Sequence, residues 1–276
     1  METTTTTNAP HLATEMNLAD WDIILVNSSA GKDSQTILRH TVLLAEQQGV
    51  KDRVLVVHAD LGRSEWEGAP ELAKKQADLH GVPFVHVSRP QGDLLQHVLD
   101  RGMWPSSAAR YCTSDHKRGQ VLRVITQLVK DAKARGITKP RILNVMGLRA
   151  QESAARAKKQ PLTLNKRATN QKRTTWDWLP ILFWTEAEVW ADIHASGIPH
   201  HHAYDAGMPR LSCVFCPFAP RDALLIAGRL NPEKLAQHVA VEKAIGHTFK
   251  ADLSLAEIQD AIAAGEQPKN VTTWTA

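Results

Sequence analysis

The chain has 276 residues, of which 43% are hydrophobic and 22% charged, and its formal net charge is +4. This length predicts a substantial core, organised as one large α/β domain with an appendage rather than two equal domains. No run of roughly eighteen apolar residues occurs, so no membrane span is expected. Three cysteines, an odd number, argue against a disulfide framework and favour a reducing cytoplasm with a metal, cluster or redox role. The modest positive charge fits an anionic partner or an ordinary solvated surface.

Taken in chain order, residues 1–19 open with a threonine-rich stretch that lacks the basic and apolar regions of a secretory signal, and they predict a disordered tail. Residues 20–198 predict the α/β domain, and residues 199–276 predict a helical, cysteine-containing extension. Apolar runs predict strands at 22–27, 54–59, 84–87 and 142–146, with a weaker strand at 178–182. Apolar periodicity predicts helices at 34–48, 65–80, 93–101, 120–135, 186–195, 220–229, 232–245 and 254–264.

Strands that alternate with helices of this length predict βαβ units and a mainly parallel sheet flanked by helices. Ligands of such sheets bind outside the carboxyl ends of the strands. The turns at 27–34, 59–62 and 147–149 all follow predicted strands, so we expect them to converge on one nucleotide. The polar, basic stretch 157–177 has no clear period and predicts a mobile loop that could track a nucleic-acid backbone.

The turn after the first strand combines small residues with one lysine, which is how a phosphate cradle is built. Small side chains let backbone N–H groups close on an anion, and the start of the next helix adds its positive dipole end. Lys32 supplies a mobile charge, and Ser29 and Ser34 supply hydroxyl donors. The spacing differs from the Walker A pattern, which needs four residues between its first Gly and the Gly-Lys pair.

This turn resembles the SGGKDS loop, or PP-loop, of the N-type ATP pyrophosphatases, with Ala30 where that family usually has Gly. The resemblance implies an adenine nucleotide α-hydrolase-like fold and cleavage of ATP between its α- and β-phosphates. It also implies catalytic roles for Lys32 and Asp33. The nucleotide-binding residues that it implies in this loop are Ser29, Ala30, Gly31, Lys32, Asp33 and Ser34.

Two further turns carry candidate binding residues. Asp60 ends a predicted strand. A carboxylate at this position of a nucleotide site can bind Mg²⁺ or a hydroxyl group of the ligand, or it can form only a turn and a helix cap. Gly147 permits a close turn after another strand. Helical spacing predicts that the four polar residues after Gly147 lie on one side of a helix. The two arginines among them could bind phosphate oxygens, or they could form ion pairs on a solvent-exposed helix. These four residues are Arg149, Glu152, Ser153 and Arg156.

Residues 147–158 resemble the G-(I/L)-R-x-x-E-S-x-x-R-A-K segment of the phosphoadenosine-phosphosulfate reductase family, which includes ATP-cleaving relatives. Residues 180–190 resemble that family's P-(I/L)-x-x-W-(T/S)-x-x-(D/E)-V-W segment. In this second segment, Thr185 and Glu188 predict a capping box and therefore a structural role. The family's R-(W/Y)-C-T-x-x-x-K and Y-x-x-G-x-x-R-x-x-C-x-x-C patterns also match, so the resemblance covers roughly residues 20–220.

The three cysteines are Cys112 and the C-x-x-C pair Cys213 and Cys216. A short C-x-x-C loop suits Zn²⁺, an iron–sulfur cluster or a redox dithiol. Three thiols would leave one iron of a 4Fe–4S cluster open to exogenous sulfide or substrate. Alternatively, Cys112 could carry a persulfide, or the three could be unrelated buried thiols. For zinc, the fourth ligand could be one of four histidines, namely His116, His200, His201 or His202.

These features favour a sulfur-insertion enzyme over a sulfonucleotide reductase. The reductases resembled here use a cysteine on a C-terminal segment, whereas Cys216 is the last cysteine of this sequence, and Tyr111 stands where cluster-bearing reductases have an adjacent cysteine. The chain resembles most the DNA phosphorothioation proteins of the DndC/SspD type. That resemblance implies ATP, Mg²⁺ and a 4Fe–4S cluster as cofactors, a cysteine desulfurase as sulfur donor, and DNA or another nucleic acid as acceptor.

Two alternatives stay open at this point. One is a reductase of phosphoadenosine phosphosulfate or adenosine phosphosulfate. The other is a zinc-bearing nucleic-acid-binding module, which would leave the loop at 29–34 unexplained. The sequence leaves open whether the chain forms a homo-oligomer, and whether the acceptor is a DNA phosphate, a tRNA base or a small molecule.

Overall fold

The computed structural model describes residues 12, 15–269 and 271. Its centre is a six-stranded sheet with the order β3-β2-β1-β4-β6-β5. All neighbouring strands run parallel except β5, which pairs antiparallel with β6. The strands are β1 Ile23–Asn27, β2 Val54–Asp60, β3 Phe84–Ser88, β4 Arg141–Val145, β5 Leu162–Leu164 and β6 Thr174–Trp178.

Helices connect and cover the strands. Those of the first part of the chain are α1 Lys32–Gln47, α2 Ala69–Leu79, α3 Leu94–Arg101, α4 Tyr111–Thr113, α5 Gly119–Ala134, α6 Ala154–Ala157 and α7 Glu186–Ser196. A π-helical turn over Ser114–Arg118 joins α4 to α5. The last three helices are α8 Arg221–Leu230, α9 Pro232–Ile245 and α10 Leu255–Ala263.

The sheet is buried on both faces, as the near-continuous apolar strands predict. On β1, Ile24 and Val26 pack with α1 and α7, whereas Ile23 and Leu25 pack with α5 on the opposite face. This alternation is the period-2 geometry of a strand. A third cluster joins α8–α10 to residues near α3, including the buried Trp66 and Trp104. The C-terminal helices therefore share a core with the edge of the α/β region.

The structure confirms the predicted α/β class and a mostly parallel sheet with strands near 22–27, 54–59, 84–87 and 142–146. The prediction of a mobile loop over 157–177 is wrong, because the chain there forms β5, α6 at its start and most of β6. The strand predicted at 178–182 is also wrong, since β6 ends at Trp178 and a turn follows. The buried Arg173 explains part of this result, because its Nε donates to Ala168 O at 2.6 Å and ties the basic segment down.

Most of the predicted N-terminal tail lies outside the described residues, although Met16 and Leu18 at its end are buried in the core. Among the helices of the described residues, none combines the length and apolar character that a bilayer crossing requires.

Candidate active site

The predicted turns meet at one cleft with a volume of about 910 Å³ at the carboxyl ends of the central strands. The turn after β1, the turn after β4 and the cysteine-bearing loop before α8 all contribute to its walls. This position is where the topology of an open parallel sheet places a ligand. The cleft is the candidate active site.

The loop after β1 has the geometry of an anion cradle. Ala30 has φ 57° and is fully buried, so this non-glycine residue adopts the left-handed conformation that glycine takes without strain. Gly31 is the N-cap of α1 and provides no side-chain cap. The serine hydroxyls brace the loop from inside, since Ser34 Oγ donates to Gly31 O at 2.8 Å and accepts from Ser29 N at 3.2 Å. The first turn of this 16-residue helix lines the cleft through Asp33 and Ser34 and has no cap from the side chain of its N-cap residue.

The turn after β4 packs directly against this loop. A Cβ at Gly147 would lie 2.8 Å from the carbonyl carbon and oxygen of Asp33, so glycine is required by the close approach of two backbones. Arg149 follows and donates from Nε to Asp33 Oδ1 at 2.5 Å and from Nη1 to Gln151 Oε1 at 2.9 Å. With only 2% of its surface exposed, Arg149 binds the two loops together.

Lys32 is likewise occupied within the protein. Its Nζ donates to Pro209 O at 2.8 Å and lies 3.4 Å from Glu186 Oε1 and 3.6 Å from Asp33 Oδ2. Lys32 N donates to Tyr204 Oη at 2.9 Å. Neither Lys32 nor Arg149 lines the cleft. Their predicted contacts with phosphate therefore stay predictions, and both side chains would have to exchange these partners for a ligand.

The segment after Gly147 differs from the predicted single helix. Ser153 has φ −172° and ψ 156° and separates a 3₁₀ turn over Ala150–Glu152 from α6. Ser153 Oγ then caps α6 by accepting from Arg156 N at 3.2 Å. Arg156 forms an ion pair with Glu152 and lines the cleft. Of the two predicted phosphate-binding arginines, Arg156 is the one that faces the ligand space.

Asp60 ends β2 as predicted, and its Oδ1 accepts a hydrogen bond from Gly62 N at 2.8 Å, which is the turn interaction that the sequence offered as one alternative.

The cleft is also lined by a set of cationic side chains that were not predicted together. Its members are Arg110, Lys117, Arg118, Arg156, Lys159, Arg167 and Arg210. Such a set favours a polyanionic ligand larger than one nucleotide.

All three cysteines are buried and line the same cleft. The Cys213 thiol hydrogen-bonds to Cys216. This bond lowers the pKa of Cys216 to about 6, and together with burial it raises the pKa of Cys213. Lys117, which the π-helical turn places beside them, has a raised pKa because the thiols and Glu65 outweigh the opposing effect of burial. The cysteine pair and the Lys117 side chain therefore lie together at this end of the cleft.

Three thiols are a donor set that either a 4Fe–4S cluster or a zinc ion accepts. Within the described part of the chain, the three thiols do not come within 4.8 Å of one another as a set, and no histidine joins them at that distance. Two of the thiols are nevertheless close to each other, because Cys213 hydrogen-bonds to Cys216. Of the zinc-ligand candidates, His116 Nε2 bonds to His97 Nδ1 at 3.0 Å, and His201 Nε2 bonds to Glu67 O at 3.0 Å. Cys112, Cys213 and Cys216 are the residues that would hold either group.

Several residues of the site had no sequence signal. A hydrogen-bonded row forms one wall of the cleft: Asn27 Nδ2 donates to Asn144 Oδ1, and Asn144 Nδ2 donates to Asp177 Oδ1, each at 2.7 Å. Asn165 Nδ2 extends the row to the same carboxylate at 3.0 Å. The residues lie on β1, β4, β6 and a loop, so only the strand order could have predicted their contact.

Comparison with known proteins agrees with this arrangement. The profile of the phosphoadenosine phosphosulfate reductase domain matches residues 23–219. An uncharacterized 37.8 kDa protein of Escherichia phage 186 is 26% identical over 189 residues, which cover 67% of this chain and 51% of that protein. The chain thus spans about half the length of this phage relative. An adenosine 5'-phosphosulfate reductase of Shouchella clausii is 30% identical over 70 residues, covering 25% of this chain and 27% of the reductase.

Among solved structures, the U34-tRNA thiolase of Methanococcus maripaludis with its 4Fe-4S cluster aligns with a TM-score of 0.45 at 13% identity. The alignment covers 93% of this chain and 87% of the thiolase. The profile match extends from β1 through the C-x-x-C loop and so includes every wall of the cleft described above. The chain belongs to the phosphoadenosine phosphosulfate reductase domain family.

Proposed function

We propose that the chain is an ATP pyrophosphatase that adenylates an acceptor oxygen for sulfur insertion, and that the acceptor is a DNA backbone phosphate. One observation carries the proposal: the anion cradle at Ser29–Ser34 and the three buried thiols open into the same 910 Å³ cleft. A site of that kind can bring a nucleotide, an acceptor and a sulfur-handling centre together.

In the proposed reaction, the pyrophosphate part of ATP occupies the cradle, where backbone N–H groups and the start of α1 bind its charge. An acceptor oxygen attacks the α-phosphorus, and the bond to the β-phosphate oxygen breaks. Charge develops on the leaving pyrophosphate, so donors already aimed at it lower the barrier. We assign this role to Arg156, which lines the cleft. Mg²⁺ would enter with the phosphates of ATP and neutralise their charge, with Asp33 as the nearest carboxylate of the loop.

Sulfide then attacks the phosphorus of the acceptor, and the bond from that phosphorus to the adenylated oxygen breaks, so that AMP leaves with this oxygen. We propose that a cysteine desulfurase supplies the sulfur as a persulfide, and that a thiol reductant releases it from the persulfide as sulfide. A 4Fe–4S cluster held by Cys112, Cys213 and Cys216 would offer one iron without a protein thiolate, where exogenous sulfide can bind. Lys117 lies beside these thiols and supplies a positive charge that favours bound anionic sulfur.

The cationic lining of the cleft supports a nucleic-acid acceptor. Lys159 and Arg167 are exposed and also line the cleft, which places charge at its mouth. Lys and Arg side chains that neutralise phosphates supply most of the sequence-independent affinity for nucleic acid. A DNA backbone phosphate offers both the charge that these residues bind and an oxygen that can be adenylated.

The reaction class is tested by product analysis. Anaerobically purified protein is mixed with ATP, Mg²⁺ and a DNA duplex, and nucleotides are separated by chromatography. AMP and pyrophosphate are expected, whereas ADP and phosphate would refute the class. Arg156→Gln should lower the rate of AMP formation, and Arg135→Gln, a change at the C-cap of α5, should leave it unchanged.

The proposed cluster is tested by metal analysis. Iron and acid-labile sulfide should be present in the wild type and be lost from Cys213→Ser, while zinc without iron would contradict the cluster.

A second candidate is reduction of a sulfonucleotide, which the match to adenosine 5'-phosphosulfate reductase favours. It is distinguished by incubating the protein with adenosine phosphosulfate or phosphoadenosine phosphosulfate and reduced thioredoxin. Release of sulfite would support reduction, and AMP formation from ATP without sulfite release would support the pyrophosphatase. Binding of DNA without any turnover of either nucleotide, together with bound zinc, would instead indicate a nucleic-acid-binding module.

A further inference from the structure

A second group of metal-ligating side chains lies apart from the cysteines, at the end of β2. His58, Asp60 and Glu65 each bring one ligand atom to a common point, where the three atoms lie within 4.8 Å of one another. His58 and Asp60 are two residues apart on a strand and therefore share a face. The 3₁₀ turn Gly62–Ser64 folds the chain back and delivers Glu65 to the same place.

His58 is held in the tautomer that a metal ligand needs. Its Nδ1 lies 3.0 Å from Ser28 O, and because a carbonyl oxygen can only accept, Nδ1 carries the proton. Nε2 is then left with a lone pair. His58 is 1% exposed, and no protein group among the described residues bonds to Nε2. An imidazole with Nδ1–H on a backbone carbonyl and a free Nε2 is the usual arrangement of a metal-bound histidine.

The carboxylates complete the group. Glu65 is 7% exposed, and its Oε1 accepts only a long 3.4 Å hydrogen bond from Trp66 N in addition to longer-range attraction by Lys117 and Lys234. Burial raises the pKa of Glu65 to about 7, which reflects the cost of a carboxylate in this position. A bound cation would remove that cost.

Asp60 is oriented from two sides. Its Oδ1 accepts from Gly62 N at 2.8 Å, and its Oδ2 lies 3.1 Å from His86 Nε2. Hydrogen bonds of this kind fix the direction of a carboxylate ligand and are typical of the surroundings of metal sites. Asp60 is therefore placed before any ion arrives.

We propose that His58, Asp60 and Glu65 form a binding site for one divalent first-row transition cation, such as Mn²⁺, Fe²⁺ or Zn²⁺. One imidazole and two carboxylates suit these ions, whereas Mg²⁺ and Ca²⁺ prefer oxygen ligands alone. The site is distinct from the thiols and does not depend on the proposed function.

The location of this site gives it a chemical role. His58 and Glu65 both line the cleft, and His58 contacts Ser28, the residue directly before the anion cradle. Three protein ligands leave coordination positions free for water or substrate, as in catalytic rather than structural sites. An ion here would face the ligand space between the cradle and the cysteines and could bind a phosphate oxygen as a Lewis acid.

Mn²⁺ is the probe of choice because thiolates bind it poorly, so the cysteines do not compete. The full chain, freed of metal by a chelator and without nucleotide, is titrated with Mn²⁺ and followed by electron paramagnetic resonance. The wild type should bind one Mn²⁺ per chain. Glu65→Gln and His58→Gln should each weaken that binding by roughly tenfold or more. Glu46→Gln, an exposed carboxylate paired with Lys51, is the matched control and should bind as the wild type does.

Circular dichroism and thermal melting establish that each variant folds. Glu65→Gln retains the shape of the side chain, and Asp60→Asn serves as the second variant if the buried His58 variant does not fold. Cys112→Ser should leave Mn²⁺ binding unchanged. Absence of a bound-Mn²⁺ signal in the wild type, or equal affinities in the wild type, Glu65→Gln and Asp60→Asn, would overturn the proposal.

Discussion

Gly147 and Asp33 approach so closely that a Cβ on the glycine would lie 2.8 Å from the Asp33 carbonyl. The two residues come from turns at the ends of neighbouring strands β4 and β1, which pair in parallel. The shape of the anion cradle therefore depends on a backbone contact between residues 114 positions apart, a separation given by their numbers 33 and 147. The positions of the side chains in the cradle depend on this backbone contact.

Gly147→Ala should disable the site while the fold persists. The added methyl group must push the Asp33 backbone away, which overpacks the contact and costs about 2 kcal/mol of stability. AMP formation should fall strongly because the cradle moves. Gly102→Ala is the control: its Cβ meets nothing within 4 Å, but its φ of +65° carries a strain of about 1 kcal/mol. Equal activity in the two variants would contradict the role given to this contact.

The ion pair between Arg149 and Asp33 should be strongly coupled energetically. Arg149 is 2% exposed and Asp33 18%, so removing either partner leaves a poorly solvated charge. We expect Asp33→Asn to lower the free energy of unfolding by about 2 kcal/mol, less than for a fully buried pair because Asp33 is partly exposed.

Urea denaturation of Asp33→Asn, Arg149→Met and the double variant measures the coupling. The double variant should be more stable than the sum of the single losses predicts, by about 2 kcal/mol. Additive losses would show that the two side chains stabilise the fold independently, and that the contact at 2.5 Å contributes little.

Stability should fall between about pH 7 and about pH 5 because of His238. Its ring bonds to Ser64 Oγ and Lys234 O, and burial lowers its pKa from 6.5 to about 4. The hydrogen bond to Lys234 O and the charge of Asp93 oppose this effect and raise the pKa, whereas the charges of Arg63 and Lys234 lower it further. At a pH between these two pKa values, His238 is protonated in the unfolded chain and neutral in the folded chain. The stability present above pH 6.5 is therefore lost as the pH falls.

For this single histidine, the expected loss from about pH 7 to about pH 5 is about 2 kcal/mol. The measurement compares urea unfolding of the wild type and His238→Gln at both pH values. The variant should lose less stability than the wild type over this interval, since other histidines titrate equally in both. An identical pH dependence in the two proteins would refute the assignment to His238.

The sequence predicted the parts of the fold that follow local periodicity. The apolar run of β1 was predictable because this strand is buried on both faces, and the helical pattern of α1 was predictable because its apolar residues share one buried face. The hairpin of β5 and β6 was not predicted, because its strands carry the polar residues Thr163 and Asp177, which obscure the alternation of apolar and polar residues that is typical of a strand. Asp177 is satisfied by Asn144 and Asn165, and those partners belong to other elements.

The site was predicted in composition but not in all its contacts. Placing the turns after β1 and β4 in one cleft needed only the rule that parallel strands end at the same edge. The cysteines follow no strand of the sheet, so this rule could not place them there. The partner of Lys32 could not be predicted, because Pro209 O lies 177 positions away and no motif encodes that contact. The contact between Lys32 and Glu186 could not be predicted either. Glu186 lies in the segment for which the capping box predicted a structural role, yet its carboxylate is 3.4 Å from Lys32 Nζ.

The cationic mouth of the cleft should determine the salt dependence of DNA binding. Each phosphate neutralised by a Lys or Arg contributes about 0.9 to the slope of log K against log salt concentration. Lys159→Gln with Arg167→Gln should therefore weaken binding of a duplex and reduce that slope by nearly two if both residues contact phosphate. Lys130→Gln with Lys133→Gln, two exposed charges on α5 that do not line the cleft, provides a control with the same change in net charge. Fluorescence anisotropy at several salt concentrations gives both slopes. If the two double variants lose affinity and slope equally, net charge rather than the cleft governs binding, and the proposed path of the DNA is wrong.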